Sequence, residues 1–372
     1  MKKNLSVLIL IFIVINIISI EVASDVNISA KGAVVMDVKT GRVLYSKNMN
    51  TQLEMASTTK IMTALLAVES GKLNDVVTVK QSSCNIEGSS IYLRPGEKLT
   101  VEELTYGLML RSGNDASVVI AEYIGGNMDN FLALMNRKAK DIGADNTHFT
   151  NPNGLPNNNH YTTAYDLALI TTYAMKNPKF SEIVSAKNKT IPGPPGENWN
   201  RILKNKNKML WTFEGADGVK TGYTKNAGRC LVTSATRNNM QLVCVVLNCG
   251  PMWEESTALL EHTYKNYSNV KLVDKEKFSN KASIIKGKEK YVSLKPLNDI
   301  IVPVKNNGTE KIEIKINKVN NNIAPIYKGA IAGEICVYIE KTLIAKTPLV
   351  YQEDVKSSDL LYNLRMVLKG LN

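Results

Sequence analysis

The 372-residue sequence predicts a mixed α+β domain followed by a small all-β domain. Three observations carry this. Strand-like alternation with turn signals occurs near both ends of the first 270 residues. Apolar runs at helical spacing fill the stretch between them. Near residue 270 the texture changes: "KIEIKINKV" alternates with period two, "EICVYIEKTLIAKTPLVY" is rich in β-branched residues, and few helical signals occur from 272 to 356.

The elements follow in order. Met1-Lys2-Lys3, an apolar run over residues 5–20 and the small residues of "EVAS" read as a secretory leader, residues 1–24, cut before Asp25. The apolar run falls short of the ~20 residues a spanning helix needs. "GAVVMDVKTGRVLYSKN" reads as a hairpin turning at Gly41. "MASTTKIMTALLAVESGK" places Ile61, Leu65 and Val68 on one helical face, and Gly71 stops the run. Thr100 and Glu103 form a capping box that opens two helical halves separated by "RSGN". "NPNGLPNNNHY" is a loop, Thr163 and Asp166 cap the next helix, and "KNKTIPGPPGENW" reads as a Pro/Gly loop. "GRCLVTSATRNNMQLVCVVLNC" reads as a hairpin turning at Asn238 and Asn239. The expected divisions are a catalytic domain over 25–268, a β domain over 269–356 and a terminal amphipathic helix over 357–372. In that helix Leu360, Leu361, Leu364, Val367, Leu368 and Leu371 share a face, with Arg365 and Lys369 nearby, which suits an anionic membrane surface.

The net charge of +12 suits an anionic partner: nucleic acid, lipid or wall polymer. The leader places the chain outside the cytoplasm and so argues against nucleic acid. Five cysteines leave at least one thiol unpaired, none has C-x-x-C spacing, and buried structural thiols are expected.

The chemistry narrows by elimination. There is no G-x-S-x-G and no H-E-x-x-H, and the three histidines, His148, His160 and His262, read as structural or rim residues. Serine with lysine remains. S-x-x-K occurs at Ser57, Ser268 and Ser283, but only Ser57-Thr58-Thr59-Lys60 begins an apolar helix. There residues i and i+3 share a face, and the helix start offers free N–H groups to a developing anion. Lys60 can act as a base only if burial or a neighbouring cation lowers its pKa. Ser112 and Asn114, in the break between two helices, are its expected partners. "VKTG" occurs at 38–41 and at 219–222. The first copy reads as the hairpin turn. In the second, Lys220 and Thr221 suit a terminal carboxylate, Gly222 allows close approach, and the N–H of Tyr223 would join that of Ser57 around an oxyanion.

S-x-x-K, S-x-N and K-T-G, in that order at 57, 112 and 220, form a set found in class A β-lactamases and penicillin-binding proteins. With "LRSGNDAS", "HFTNPNGL", "HYTTAYDLA" and "DGVKTGYTKNAGRCLVTSA", the chain resembles the low-molecular-mass penicillin-binding proteins that are serine D-alanyl-D-alanine carboxypeptidases. The resemblance implies an α/β (α+β), β-lactamase/transpeptidase-like catalytic domain with an antiparallel sheet flanked by helices, and N-terminal and late strands in one sheet. It implies Ser57, Lys60 and Ser112 as catalytic residues and Asn114, Lys220, Thr221, Gly222 and Tyr223 as substrate-binding residues. It also implies a peptidoglycan stem peptide as substrate, β-lactams as inhibitors, no metal or organic cofactor, and membrane contact through 357–372. The rivals are a β-lactamase on the same site and an inert wall-binding protein.

Overall fold

The structure is a computed structural model and describes residues 26–319 and 322–358. The leader and the terminal segment from 359 onward, and with them the expected cleavage site and most of the expected amphipathic helix, lie outside the described residues.

Five antiparallel strands form the central sheet, in the spatial order Val43–Lys47, Gly32–Asp37, Met240–Leu247, Gly228–Arg237, Ala216–Thr224. The first and last strands of the domain thus share one sheet, as the resemblance implies. "GAVVMD" is buried along its whole length because helices cover both faces. Val34 and Met36 join one core with Ile61 and Leu65 of the helix Lys60–Glu69 and Leu167 of the helix Ala164–Met175. Ala33 and Val35 point the other way, to Leu259 and Leu260 of the helix Met252–Asn266. Alternation within one strand therefore feeds two cores.

Local chemistry sets the turns. Asp37 accepts the Thr40 N–H and hydroxyl at 2.8 and 2.6 Å, Gly41 has φ 72, and the first "VKTG" is a hairpin turn. Asn238 and Asn239 have φ 50 and 59, the double left-handed turn that matches strand twist. Thr100 and Glu103 form the expected capping box. Thr163 accepts the Asp166 N–H at 3.0 Å and caps the helix as expected, and the Asp166 carboxylate also accepts from Asn146 N and Thr147 Oγ1 of the preceding loop. The expected Pro/Gly loop is partly a hairpin: Asn188–Ile191 pairs with Arg201–Lys204. Its β-branched Thr190 and Ile191 find cross-strand partners that a local reading cannot see. All five cysteines are free and buried.

From Tyr267 the chain turns to strands. A five-stranded sheet runs Asn280–Ser283, Tyr291–Pro296, Thr342–Tyr351, Ile331–Ile339, Ile312–Lys318. The pair Tyr267–Val273 and Ile300–Lys305 shares its core with Val292, Leu294, Ile335 and Leu349. Arg42 links the two regions, donating to the Pro303 carbonyl and the Glu310 carboxylate and lying over the Tyr267 ring.

One buried ion pair matters for the site. Glu97 and Arg201 meet at 2.7 Å with 2% and 6% of their side chains exposed. Arg201 also donates to the carbonyls of Ile91, Tyr92 and Pro192 at 2.9–3.0 Å. It thereby ties the loop before Arg94 to the Arg201–Lys204 hairpin. Removing one partner would strand the other as an uncompensated buried charge. Glu97→Ala is therefore expected to cost about 3–5 kcal/mol in urea unfolding, and a loss under about 1 kcal/mol would show that the pair behaves as an exposed one.

Candidate active site

Ser57 sits in a 3₁₀ turn, Ala56–Thr59, that runs directly into the helix beginning at Lys60. Ala56 has φ 47, a costly conformation for an alanine, immediately before the serine. The turn is pinned from three sides. Thr58 Oγ1 donates to the Met55 carbonyl at 2.6 Å, and Thr59 Oγ1 to the Ala56 carbonyl at 2.8 Å. Gly154, with φ 88, packs so closely that a Cβ there would lie 1.9 Å from the Ala56 carbonyl oxygen. Gly222 brings the edge strand Ala216–Thr224 alongside: a Cβ there would lie 3.1 Å from Ser57 N. An edge strand has backbone N–H groups that no neighbouring strand uses.

Lys60 is fully buried. Its Nζ donates to Ser57 Oγ at 3.0 Å, Asn114 Oδ1 at 2.7 Å and the Asn153 carbonyl at 2.5 Å. All three acceptors are neutral. Asn114 cannot turn away, because its Nδ2 donates to the Glu87 carbonyl. Burial pushes the Lys60 pKa well below the ordinary lysine range, and the nearby charges of Lys220 and Lys206 push the same way, with Asp115 opposing. Asp115 is not a close partner: its carboxylate accepts from Ser90 Oγ at 2.6 Å and from the N–H groups of Ile91 and Leu93 at 3.2 and 3.0 Å.

Ser112 follows a π-helical turn, Gly107–Arg111, and adopts φ 67, ψ 33. Such irregular turns re-aim the chain at functional sites. Ser112 lines a cleft of about 420 Å³ with Ser57, Ser89, Lys206, Thr221, Gly222 and Tyr223. The cleft therefore collects residues from all three sequence motifs.

Lys220 departs from the simple expectation of an offered positive charge. It is 1% exposed, and its Nζ donates to the Thr221 carbonyl at 2.9 Å. Burial first, then the charge of Lys206, lowers its pKa to about 7. Lys206 itself bonds Ser89 Oγ at 3.1 Å, and burial plus the charge of Arg111 lowers its pKa. Lys206 thus lines the cleft and Lys220 lies within its electrostatic reach, which prepares the cleft for an anionic ligand.

Sequence reasoning missed Asn153, Glu87 and Lys206. The first two act through backbone carbonyls, which leave no residue-type signal. Lys206 stands in "KNKNK", which reads as solvated surface. The other S-x-x-K copies lie apart from this cleft: Ser268 is on a strand and bonds Asn306 at 2.7 Å, and Ser283 ends another strand. Among the described residues no cluster of three or more His, Cys, Asp or Glu could hold a metal ion.

The chain matches the D-alanyl-D-alanine carboxypeptidase family over residues 19–250 and the penicillin-binding protein 5 C-terminal domain over residues 267–357. It is 35% identical to the D-alanyl-D-alanine carboxypeptidase DacF of Bacillus subtilis over 356 residues, covering 93% of this chain and 90% of that one. It is 31% identical to the D-alanyl-D-alanine carboxypeptidase DacA of Haemophilus influenzae, covering 93% and 91%. The solved structure of penicillin-binding protein 5 from Haemophilus influenzae superposes with a TM-score of 0.75 at 30% identity, over 89% of this chain and 98% of that one. The chain belongs to the serine D-alanyl-D-alanine carboxypeptidase family of low-molecular-mass penicillin-binding proteins.

His160 supports the serine turn from behind. Its Nδ1 accepts the Thr150 N–H at 3.0 Å, so Nε2 carries the proton and donates to Thr59 Oγ1 at 2.7 Å. Burial, then the charges of His148 and Lys60, depress its pKa to about 4. The folded-state value lies below the unfolded one. The stabilisation is therefore complete above pH ~6.5 and is lost as pH falls toward ~4, by about 3 kcal/mol in all. Urea unfolding should show this loss between pH 6.5 and 4, and His160→Gln should remove close to one proton from the slope. An unchanged slope in the variant would refute a neutral, buried His160.

Proposed function

We propose that this chain removes the terminal D-alanine from peptidoglycan stem pentapeptides through an acyl-enzyme on Ser57. The observation that carries this reading is the bonding of Lys60. A neutral amine has two N–H donors and one lone pair. Asn114 Oδ1 and the Asn153 carbonyl can accept only N–H donors, so in neutral Lys60 the lone pair is left facing Ser57 Oγ. The arrangement suits a general base whose proton burial has loosened and whose lone pair is aimed at the serine.

The steps follow from that geometry. The substrate lies along the edge strand, with its C-terminal carboxylate near Lys220, Thr221 and Lys206. Ser57 Oγ attacks the carbonyl between the two D-alanines while its proton passes to Lys60. The N–H groups of Ser57 and Tyr223 receive the oxyanion, and each such donor contributes roughly 10²–10³ in rate. Ser112, which lines the same cleft, relays the proton that releases D-alanine. Water, activated again by Lys60, hydrolyses the ester. A penicillin presents an acylating carbonyl and a carboxylate to the same groups and esterifies Ser57. Peptidoglycan lies outside the cytoplasmic membrane, which agrees with a leader at residues 1–24 and with peripheral membrane contact through 357–372.

Two results test this. Wild type should bind labelled penicillin covalently and release D-alanine from a D-Ala–D-Ala tripeptide. Ser57→Ala should do neither, and Lys60→Gln should acylate at least ~10²-fold more slowly. Labelling of Ser57→Ala at the wild-type rate would refute the assignment. In the free enzyme Lys220 is charged below about pH 7 and neutral above it. KM for the tripeptide should therefore rise as pH increases through that region. Lys220→Arg, charged throughout, should flatten the rise; a wild-type KM that is flat from pH 6 to 9 would remove Lys220 from carboxylate binding.

A further inference from the structure

The β domain leaves one side of its sheet unpaired. Among the described strands, Ile312–Lys318 stands last in the sheet and pairs only with Ile331–Ile339. Glu340 N donates to the Lys311 carbonyl at 3.0 Å, and Val319 N to the Ala332 carbonyl at 2.9 Å. The pairing between these two bonds has no register shift, so the odd-numbered residues turn their N–H and C=O groups toward the neighbour. Ile312, Ile314 and Ile316 turn theirs outward, where no strand among the described residues receives them.

Such an edge is a template for a further strand unless a proline, a bulge, a very short strand or a charge blunts it. This strand has seven residues, no proline and no bulge. Its apolar residues share one face. Ile314 stands opposite Val337 and Ile316 opposite Ile335, both completely buried, so the isoleucines continue the core layer outward. There the layer ends in solvent, with Ile314 45% and Ile316 38% exposed. Glu313 and Lys315 take the other face, where the Lys315 ammonium lies over the Tyr338 ring. Within the strand the two charges are 3.5 Å apart and each is half exposed. Lys315 would repel a strand that brings a cation beside it. Against a second copy of its own strand it does the reverse.

The strand is complementary to itself. "IEIKI" has an acid on one side of Ile314 and a base on the other, each followed by an isoleucine. Laid antiparallel on itself about Ile314, it sets Ile314 against Ile314, Ile312 against Ile316, and Glu313 against Lys315 twice. The four charges then alternate around the two-fold axis. The outward N–H and C=O groups of Ile312, Ile314 and Ile316 are the ones this register joins. Shifted by two residues in either direction, the pairing would set Lys315 against Lys315 or Glu313 against Glu313, and like charges directly opposite are unfavourable. We propose that Ile312–Lys318 pairs with the same strand of a second copy of this chain, so that one antiparallel sheet runs through two β domains. Two short strands bury little area, so the dimer is a weak one.

Sedimentation equilibrium of the purified full chain over about 10–500 μM, between the micromolar and millimolar affinities of small interfaces, tests this. Wild type should shift from monomer toward dimer as its concentration rises. Lys315→Glu sets acid against acid and should weaken association at least about tenfold. Combining it with Glu313→Lys should restore association, because the exchanged pair is again complementary to itself. Oxidative cross-linking then reads the register. Opposed Cα atoms at Ile314 would lie about 5.5 Å apart, within disulfide reach, so Ile314→Cys should give a covalent dimer. Ile316→Cys should not, because its counterpart would lie about 13 Å away along the strand. Wild type, whose own cysteines are buried, is the control. A wild type that stays monomeric overturns the proposal. So does association that Lys315→Glu leaves unchanged or that the exchanged pair fails to restore, and so does equal cross-linking of Ile314→Cys and Ile316→Cys.

Discussion

The site depends on a lysine buried against neutral oxygens. Lys60 is fully enclosed, and its amine is met by a hydroxyl, an amide oxygen and a backbone carbonyl. A carboxylate in any of those places would hold the ammonium charged and remove its use as a base. Much of the surrounding structure maintains this arrangement. Asn114 is fixed by the Glu87 carbonyl, and the Asn153 carbonyl is delivered by the "NPNG" turn, in which Gly154 packs against the serine turn. The nearest acid, Asp115, is engaged by Ser90, Ile91 and Leu93. Lys220 and Lys206 then supply repulsion that keeps the proton off Lys60 while offering attraction to an anionic ligand.

The fold supplies what this chemistry needs. The edge strand Ala216–Thr224 stands beside the serine turn because Gly222 has no side chain to hold them apart. The π turn before Ser112 changes the direction of the chain so that Ser112 lines the cleft and Asn114 reaches Lys60. The Glu97–Arg201 pair fixes the loop before Arg94, whose Ser89 lines the cleft. The serine–lysine turn and the carboxylate site thus come from segments more than a hundred residues apart, held by a sheet whose two cores are filled by alternating side chains of the same strands.

Part of this was legible in the sequence because it is local. Ser57 and Lys60 face one another by helical geometry alone. The first "VKTG" was readable as a turn from its flanks, and Asn238-Asn239 as a hairpin. The capping box at Thr100 needed only four residues. What was not legible comes from distance or from the backbone. The carbonyls of Glu87 and Asn153 carry no side-chain signature. His160 acts on Thr59 across 101 residues. Asn188–Ile191 becomes a strand because Arg201–Lys204 returns beside it. Lys220 was readable as a cation, but its lowered pKa follows from burial that sequence alone does not report.

The central claim is that burial against neutral oxygens lets Lys60 give up its proton well below the ordinary lysine range, so that it can take one from Ser57. The direct measurement is a pH titration of its Cε and Nζ signals by NMR in isotope-labelled, unliganded protein, assigned by their loss in Lys60→Gln. The account predicts that Lys60 loses its proton well below the ~10.4 of a free lysine. A Lys60 that stays protonated up to or beyond that value would contradict it.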